Sequence, residues 1–319
     1  MTETCIHCGL CTKGCSFLSK YTLDLAAFAG HPELAYHCFL CGDCAAVCPK
    51  KLDGRQIALN LRREQTRTNG GKPAEPGYGA LIAEKKNYIF RNYRHTAGKT
   101  ALFPGCNFAS FFPQTTDALV KLFRDAGIGV VYDCCGKPIG DLGMEHGEVC
   151  IAESMSGRLK QAGIERLIVL CPNCYQYLSE HLDVEIVSIY EVLREMMPDK
   201  TMDGSEAYIF LPCPDRKART LFHQITYFLP GAAPVEGVQC CGLGGCAAAK
   251  EPDLAAEFAR QLQKISDSTL YTYCASCTGQ LHRSGTENAV HILTELLGTH
   301  EKPALSGVQS LLNRAKRIF

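Results

Sequence analysis

The sequence predicts an α/β protein with a mostly helical N-terminal module and two repeated half-domains, each built on a small parallel sheet. Three observations indicate this. Two compact cysteine groups occupy the first 48 residues, a longer cysteine pattern recurs after about 105 residues, and apolar runs alternate with helical patterns from residue 100 onward. We therefore expect modules at residues 1–68, 100–200 and 201–319, with a linker and connecting helix over 69–99.

Composition narrows the class of protein. The chain has 319 residues, of which 46% are hydrophobic and 21% charged, with a formal net charge of zero. No basic field predicts binding to nucleic acid, no apolar run has the roughly 20 residues of a membrane span, and no signal peptide is recognisable. We expect a cytoplasmic protein, or one held at the membrane periphery by a partner. In that compartment twenty cysteines indicate metal binding rather than disulfides.

The elements of the N-terminal half follow from periodicity. Short helical patterns cover 17–28 and 56–63, the second with one apolar face. Residues 68–77 are rich in glycine and proline, which interrupt helix and strand alike. Residues 80–94, rich in Lys, Arg and Tyr, suggest one connecting helix.

The elements of each repeat follow the same order. Strands are predicted at 100–103, 130–132, 167–170, 208–211 and 269–273, and helices at 115–126, 148–161, 216–228 and 253–265. Sites in parallel α/β sheets gather outside the carboxyl ends of the strands. The long cysteine groups fall at or near those ends, so each group could converge on one site.

The two compact groups each have the form C-x2-C-x2-C-x3-C, and the second is followed by Pro49. This pattern is typical of two-cluster bacterial ferredoxins, in which the fourth cysteine of each group ligates the other cluster. A pair of zinc sites is the alternative, but zinc rarely needs two interlocked sets of four thiolates. The predicted 4Fe-4S cubane ligands are Cys5, Cys8, Cys11 and Cys48 for the first, and Cys38, Cys41, Cys44 and Cys15 for the second.

The two long groups each contain five cysteines, one more than a cubane needs. Two of the five are adjacent, and a larger or opened cluster could use both where a small cubane could not without strain. Gly136 and Gly242 follow the adjacent pairs, where the backbone needs a close approach to metal or a positive φ. The groups are Cys106, Cys134, Cys135, Cys171 and Cys174, and Cys213, Cys240, Cys241, Cys274 and Cys277.

These motifs resemble a known family. The first repeat reads PGC, CCGKP and CPNC, and the second reads PC, CCGLGG and CASC. They resemble the CCG domains of the catalytic B subunit of heterodisulfide reductase. The N-terminal module resembles the C subunit, and the fused order is similar to the D subunit of the membrane-linked enzyme. The resemblance covers nearly the whole chain; residues 69–99 and 300–319 carry the least of it.

The resemblance implies an oxidoreductase with four 4Fe-4S clusters, two cubane and two noncubane. In that family each five-cysteine set holds a noncubane cluster, and a small disulfide is reduced between the two at open iron positions. No individual catalytic side chain is identified. The chain has no flavin motif, so electrons would come from a partner flavoprotein, ferredoxin or membrane cytochrome.

A second hypothesis is that the chain binds the same clusters but only relays electrons and is not catalytic. CCG domains also occur in iron–sulfur subunits of glycolate- and lactate-type dehydrogenase complexes, where this chain would be a non-catalytic relay. The complete set of ten cysteines favours disulfide chemistry over that relay.

Two cysteines fall outside all four groups. Cys246 could be a core cysteine or a thiol lining the active cavity, whereas Cys150, on an amphipathic helix, is expected in the core. His7 and His37, beside compact-group cysteines, are expected to fill surface or core roles, with proton supply to a leaving thiolate as the alternative.

Overall fold

The chain folds into two units assembled from interleaved segments. The computed structural model describes residues 3–265 and 268–319. The first, here the helical unit, comprises Met1–Lys86, Gly136–Val149 and Gly237–Gln261; the second, the α/β unit, comprises Asn87–Cys135, Cys150–Glu236 and Leu262–Phe319. The module boundaries predicted above follow the sequence repeat, and they stay a prediction.

The N-terminal stretch is helical, as predicted. Asp24 and Asp53 act as N-caps, each accepting hydrogen bonds from backbone N–H groups in the first turn of the helix that follows. A 3-10 helix covers Pro32–His37. The α-helices are α1 (Leu10–Gly14), α2 (Ser16–Lys20), α3 (Leu25–Phe28), α4 (Asp43–Ala46), α5 (Gly54–Thr68) and α6 (Gly79–Lys86).

The prediction of one helix over 80–94 is wrong in its second half. Helix α6 ends at Lys86, and Asn92–His95 forms strand β1. Tyr88 and Phe90 are buried between the two elements. Strand β1 then pairs antiparallel with Gly129–Tyr132. Alternating burial and edge pairing outweighed the charged, helix-forming composition of this segment.

The first sheet lies in the α/β unit and has the strand order β1-β3-β2-β4-β5. All its pairings are parallel apart from that of β1. The other strands are β2 (Thr100–Phe103), β3 (Gly129–Tyr132), β4 (Arg166–Val169) and β5 (Glu185–Ser188). The helices of this stretch are α7 (Gly105–Phe111), α8 (Pro113–Asp125), α9 (Lys137–Asp141), α10 (Glu145–Gln161), α11 (Pro172–His181) and α12 (Ile189–Met196).

The second sheet repeats the parallel part of the first. Its order is β7-β6-β8-β9, with parallel pairing throughout. The strands are β6 (Ala207–Phe210), β7 (Ala233–Pro234), β8 (Thr269–Thr272) and β9 (Ala289–His291). The helices are α13 (Thr220–Ile225), α14 (Pro252–Gln263), α15 (Ala275–Arg283), α16 (Ile292–Leu296) and α17 (Gly307–Ala315). The order matches β3-β2-β4-β5 strand for strand, which confirms two repeated half-domains with small parallel sheets.

The helix predicted over 216–228 is shorter than expected. Arg219 has a left-handed backbone (φ 55°), so α13 begins only at Thr220. Asp215 accepts hydrogen bonds from the N–H groups of Leu221 and Phe222, at 3.0 and 2.8 Å. That carboxylate fixes the start of α13.

One apolar core joins the two sheets of the α/β unit. Leu102 and Ile168 of the first sheet and Ile209 of the second belong to the same buried cluster, with Tyr273 just beyond β8. Equivalent strands of the two repeats therefore contribute to a shared core.

Candidate metal centres

The first compact site lies in the helical unit. Cys5, Cys8, Cys11 and Cys48 line one pocket, so the fourth cysteine of the second sequence group joins three of the first. Cys8 is exposed and Cys11 is buried. The backbone N–H of Leu52 donates to Cys48 Sγ at 3.4 Å. This site therefore opens to solvent on one side.

The second compact site is more enclosed. Cys15, Cys41 and Cys44 are buried and Cys38 is partly buried. Burial, together with the sulfurs of Cys41 and Cys38, raises the pKa of Cys15 to about 12. Burial also raises the pKa of Cys38 to about 11, opposed by the Arg62 guanidinium. The structure thus brings Cys15 together with three cysteines of the other sequence group.

The donor set of both compact sites fits iron–sulfur clusters. Four thiols face each site, and N–H groups point at their sulfurs, including that of Leu40 to Cys38 Sγ at 3.4 Å. In the second site burial raises the pKa of Cys15, Cys38 and Cys44, so iron bound there would supply the positive charge that holds them as thiolates. The individual ligand assignments remain predictions.

The first long group lies wholly in the α/β unit. Its cysteines follow the carboxyl ends of β2, β3 and β4, which meet at one sheet edge. Cys174 forms sulfur hydrogen bonds with Cys135 and Cys171, and with burial these raise its pKa. Cys106 and Cys134 share a buried cluster with Tyr88 and Phe90. This donor set fits a thiolate-rich metal group.

The CxxC pairs of the two repeats meet inside the α/β unit. Cys274 forms sulfur hydrogen bonds with Cys171 and with Cys277, and these lower the pKa of Cys274. The bond with Cys174 lowers the pKa of Cys171, but the bond with Cys274 and burial outweigh it and raise that pKa. Asn173 Nδ2 lies 3.6 Å from Cys274 Sγ. Sulfurs from the first and the second repeat therefore contact one another.

A polar contact also joins the segment beside Cys106 to the second CxxC. Asn107, next to Cys106, donates from Nδ2 to Ser276 Oγ at 2.6 Å. Ser276 lies between Cys274 and Cys277 in the second CxxC. The first turn of α7 in the first repeat is thus fixed to the first turn of α15 in the second repeat.

The second long group divides between the two units. Cys213, Cys274 and Cys277 belong to the α/β unit, whereas Cys240 and Cys241 belong to the helical unit. The N–H of Gly242 donates to Cys240 Sγ at 3.3 Å. As predicted, the glycines after both cysteine pairs have positive φ, 81° for Gly136 and 85° for Gly242. The five-cysteine ligand set itself stays a prediction.

Three side chains near the CxxC pairs were missed by sequence reasoning. Tyr190, Tyr273 and His291 are almost fully buried. Burial, then the nearby sulfurs of Cys274 and Cys171, raises the pKa of Tyr190. Burial lowers the pKa of His291 to about 3. Their position in the sequence could have identified two of them, because Tyr190 and His291 both lie at the carboxyl end of the last strand of their sheet.

The predictions for the two cysteines outside the four groups, and for the two histidines beside the compact groups, differ in how they compare with the structure. Cys150 is exposed, so the core prediction is wrong; it lies on the solvent side of α10. Cys246 is partly exposed, and burial raises its pKa to about 11. His7 Nδ1 lies 2.6 Å from Asp24 Oδ2, and His37 Nδ1 lies 2.6 Å from Glu251 Oε1. Both histidines have carboxylate partners.

Family models match the two parts of the chain separately. A 4Fe-4S dicluster domain matches residues 4–53, and the CCG cysteine-rich domain matches 100–179 and again 207–282. Fold and cysteine sites together define an iron–sulfur electron-transfer subunit. The chain belongs to the heterodisulfide reductase-like family, and in it a dicluster domain is joined to paired CCG domains.

Curated relatives agree with this family. The chain is 26% identical to the B subunit of fumarate reductase (CoM/CoB) from Methanothermobacter marburgensis, over 87% of this chain and 66% of that protein. It is 22% identical to the D subunit of dihydromethanophenazine:CoB–CoM heterodisulfide reductase from Methanosarcina mazei, over 86% of each chain. It therefore spans about two thirds of the first relative and most of the second.

A solved structure shares the fold. The crystal structure of a hypothetical protein from Helicobacter pylori has a TM-score of 0.56 and 9% identity, covering 92% of this chain and 67% of that one. Within residues 3–265 and 268–319, no helix is long and apolar enough to cross a membrane.

Proposed function

We propose that this chain carries electrons from a partner through its two compact cysteine sites to the paired CCG sites, where a small disulfide is reduced to two thiols. The balanced reaction takes two electrons and two protons for each S–S bond. The observation that carries the proposal is the meeting of the CxxC pairs at Cys171 and Cys274. A disulfide has two sulfurs, and two adjoining thiolate-rich loops suit both of them.

The surroundings of these loops support substrate sulfur chemistry. The Tyr190 hydroxyl is buried without a hydrogen-bond partner among the described residues. Tyr190 packs edge-on against Tyr273, with ring centroids 6.4 Å apart. The Tyr273 hydroxyl donates to Asp215 Oδ2 at 2.8 Å. These buried aromatic rings would limit the access of water to the place where the two CxxC pairs meet.

The compact sites would serve entry rather than chemistry. Each presents four cysteines, and a cubane held by four thiolates has no free iron position. Each CCG set contains five cysteines, and the resemblance implies a noncubane cluster there. We propose Cys5, Cys8, Cys11 and Cys48 for the first cubane and Cys15, Cys38, Cys41 and Cys44 for the second. The sets Cys106, Cys134, Cys135, Cys171, Cys174 and Cys213, Cys240, Cys241, Cys274, Cys277 would hold the other two clusters.

The relatives' names supply the substrate class and direction to test. Both name the pair CoM and CoB, one in a fumarate reductase and one in a heterodisulfide reductase. We propose a mixed disulfide of two small thiols, or the two thiols in the reverse direction. Since the named relatives are reductase subunits, the reductase reading is favoured over the hydroxy-acid dehydrogenase relay. A flavoprotein, ferredoxin or membrane cytochrome would supply the electrons.

The test is disulfide reduction by anaerobically purified protein with reduced viologen. A panel should contain symmetric and mixed disulfides, with released thiol counted against viologen oxidised. We expect two viologens per disulfide, and about sixteen irons per chain from four clusters of four. Wild-type protein with sixteen irons that reduces no disulfide would overturn the catalytic proposal. About eight irons, or zinc at the CCG sites, would overturn the noncubane assignment.

A further inference from the structure

One amide side chain contacts sulfurs from both sequence groups of the second compact site. Gln239 Nε2 lies 3.5 Å from Cys15 Sγ and 3.5 Å from Cys41 Sγ. Gln239 is 6% exposed, so water competes little for its donors. An N–H group held against a thiolate stabilises the more negative, reduced state of the cluster which that thiolate ligates.

The orientation of this amide is fixed by a third contact. Gln239 Oε1 accepts a hydrogen bond from the backbone N–H of Ser16 at 2.7 Å. An oxygen committed to a backbone donor leaves the NH2 group facing the sulfurs. Ser16 directly follows Cys15, so the amide is tied to the loop that supplies one of the two contacted thiols.

Gln239 also adjoins the second CCG pair in the chain. Cys240 is the next residue, and both lie in the helical unit. A Cβ on Gly245 would collide with the Cys38 carbonyl, so the backbones of the two loops nearly touch there. The path from the thiols at the second compact site to Cys240 is therefore one side chain and one peptide bond.

A buried arginine reinforces the same site. Arg62 is fully buried and lies 4.9 Å from the centre of the Tyr36 ring. Its guanidinium donates to the carbonyls of Ala35 (3.0 Å), Cys38 (2.8 Å), Asp141 (2.6 Å) and Gly245 (2.9 Å). Among the described residues it has no carboxylate partner. Its positive charge is thus left to act on the nearby thiolates.

We propose that Gln239 and Arg62 are positioning residues that raise the reduction potential of the cluster held by Cys15, Cys38, Cys41 and Cys44, and make it the cluster that delivers electrons to Cys240 and Cys241. The inference rests on the proposed electron-transfer function. Burial alone would favour the less charged, oxidised state and lower the potential. The two amide donors and the guanidinium oppose that effect, whereas the first compact site keeps an exposed cysteine.

The test is a redox titration followed by low-temperature electron paramagnetic resonance. The signal of the second site is identified as the one lost in Cys44→Ala. Gln239→Leu removes the donors and the acceptor without adding charge, whereas Gln239→Glu keeps the acceptor for Ser16, removes the donors and adds a negative charge that also lowers the potential. We expect both variants to shift that signal to lower potential, by at least a tenfold change in the reduction constant, about 59 mV for one electron. Gln56→Leu, an exposed glutamine on α5, is the control and should shift nothing.

The outcomes separate the possible roles. If Gln239→Glu keeps the wild-type potential, the side chain acts only through Ser16 and the inference fails. It fails equally if the Cys5 site shifts as far as the Cys44 site. If Gln239→Leu loses iron, the neutral and more flexible Gln239→Met, which also removes the donors without adding charge, decides the question. A potential shift in protein that reduces no disulfide would uphold this inference and overturn the proposed function instead.

Discussion

The groups that surround the buried cysteine sulfurs differ between the helical unit and the α/β unit. In the helical unit, cysteine sulfurs contact N–H donors and lie near the Arg62 guanidinium. In the α/β unit, Cys274 also has an amide donor, Asn173, but Cys171 and Cys274 contact each other and lie beside the buried rings of Tyr190 and His291. Donors and positive charge suit closed clusters that change charge by one electron. Sulfur against sulfur in an aromatic setting suits a place where another sulfur compound binds.

The largest expected effect tests whether the chemistry takes place at the CCG sites and the compact sites serve only electron transfer. Replacing Cys135 with alanine should abolish disulfide reduction even with viologen, because an artificial donor cannot replace the CCG site. Replacing Cys8 with alanine should mainly slow turnover with the natural donor, because this cysteine belongs to the exposed entry site. Both donors must be measured on both variants. Full viologen activity in Cys135→Ala would place the chemistry elsewhere.

The next effect concerns the helical unit alone. Cys48→Ser should damage the cluster at the pocket it shares with Cys5, Cys8 and Cys11. About a quarter of the iron should be lost if the whole cluster leaves, by the crossed ligation of two-cluster ferredoxins. Iron analysis and electron paramagnetic resonance of the single mutant measure this. Loss of the signal that Cys44→Ala removes, with the other kept, would show that the ligation is not crossed.

A third prediction compares two arginines on the same helix. Arg62→Met leaves four carbonyls without their donor, and we expect a loss of about 3–5 kcal/mol in unfolding free energy. Arg67, with 61% of its side chain exposed, forms surface ion pairs with Glu64 and Glu145. Arg67→Met should therefore cost less than about 1 kcal/mol. Anaerobic urea unfolding followed by circular dichroism compares them, and equal losses would refute the special role of Arg62.

The smallest effect is a pH dependence in the α/β unit. Burial lowers the pKa of His291 to about 3 from its usual value of 6.5. The unfolded chain then binds more protons between these values, so stability is full above about pH 6.5 and falls as the pH decreases. Between about pH 7.5 and pH 5.5 the titration of His291 should lower the unfolding free energy by about 1.4 kcal/mol.

His291→Asn provides the comparison for that prediction. Asparagine keeps an acceptor for the N–H of Leu293, which donates to His291 Nδ1 at 3.3 Å, but it does not titrate. The variant should have a shallower fall in unfolding free energy between the two pH values. Urea unfolding at both pH values gives the difference. A parallel decline in wild type and variant would show that another group is responsible.

The sequence predicted the strand ends better than the assembly. Strands β4 and β8 and the CxxC pairs after them were predictable, because apolar runs ending in fixed cysteine spacings are local signals. The prediction for residues 80–94 was wrong in its second half, because strand β1 is stabilised by its pairing with β3 and not by a local sequence pattern. The roles of Gln239 and Arg62 were also hidden. Their contacts with Cys15 and Gly245 join positions more than 180 residues apart, which no local pattern encodes.

Those distant contacts also bear on how the protein is made. Glu251, with its side chain fully buried, accepts from Lys20 at 2.6 Å and from Tyr21 at 2.7 Å. The side chains of Lys20 and Tyr21 therefore lack this buried carboxylate until residue 251 has been synthesised. Contacts of such sequence separation form late. We expect the ribosome to release most of the chain before the second compact site can close around iron, even though its cysteines are translated first.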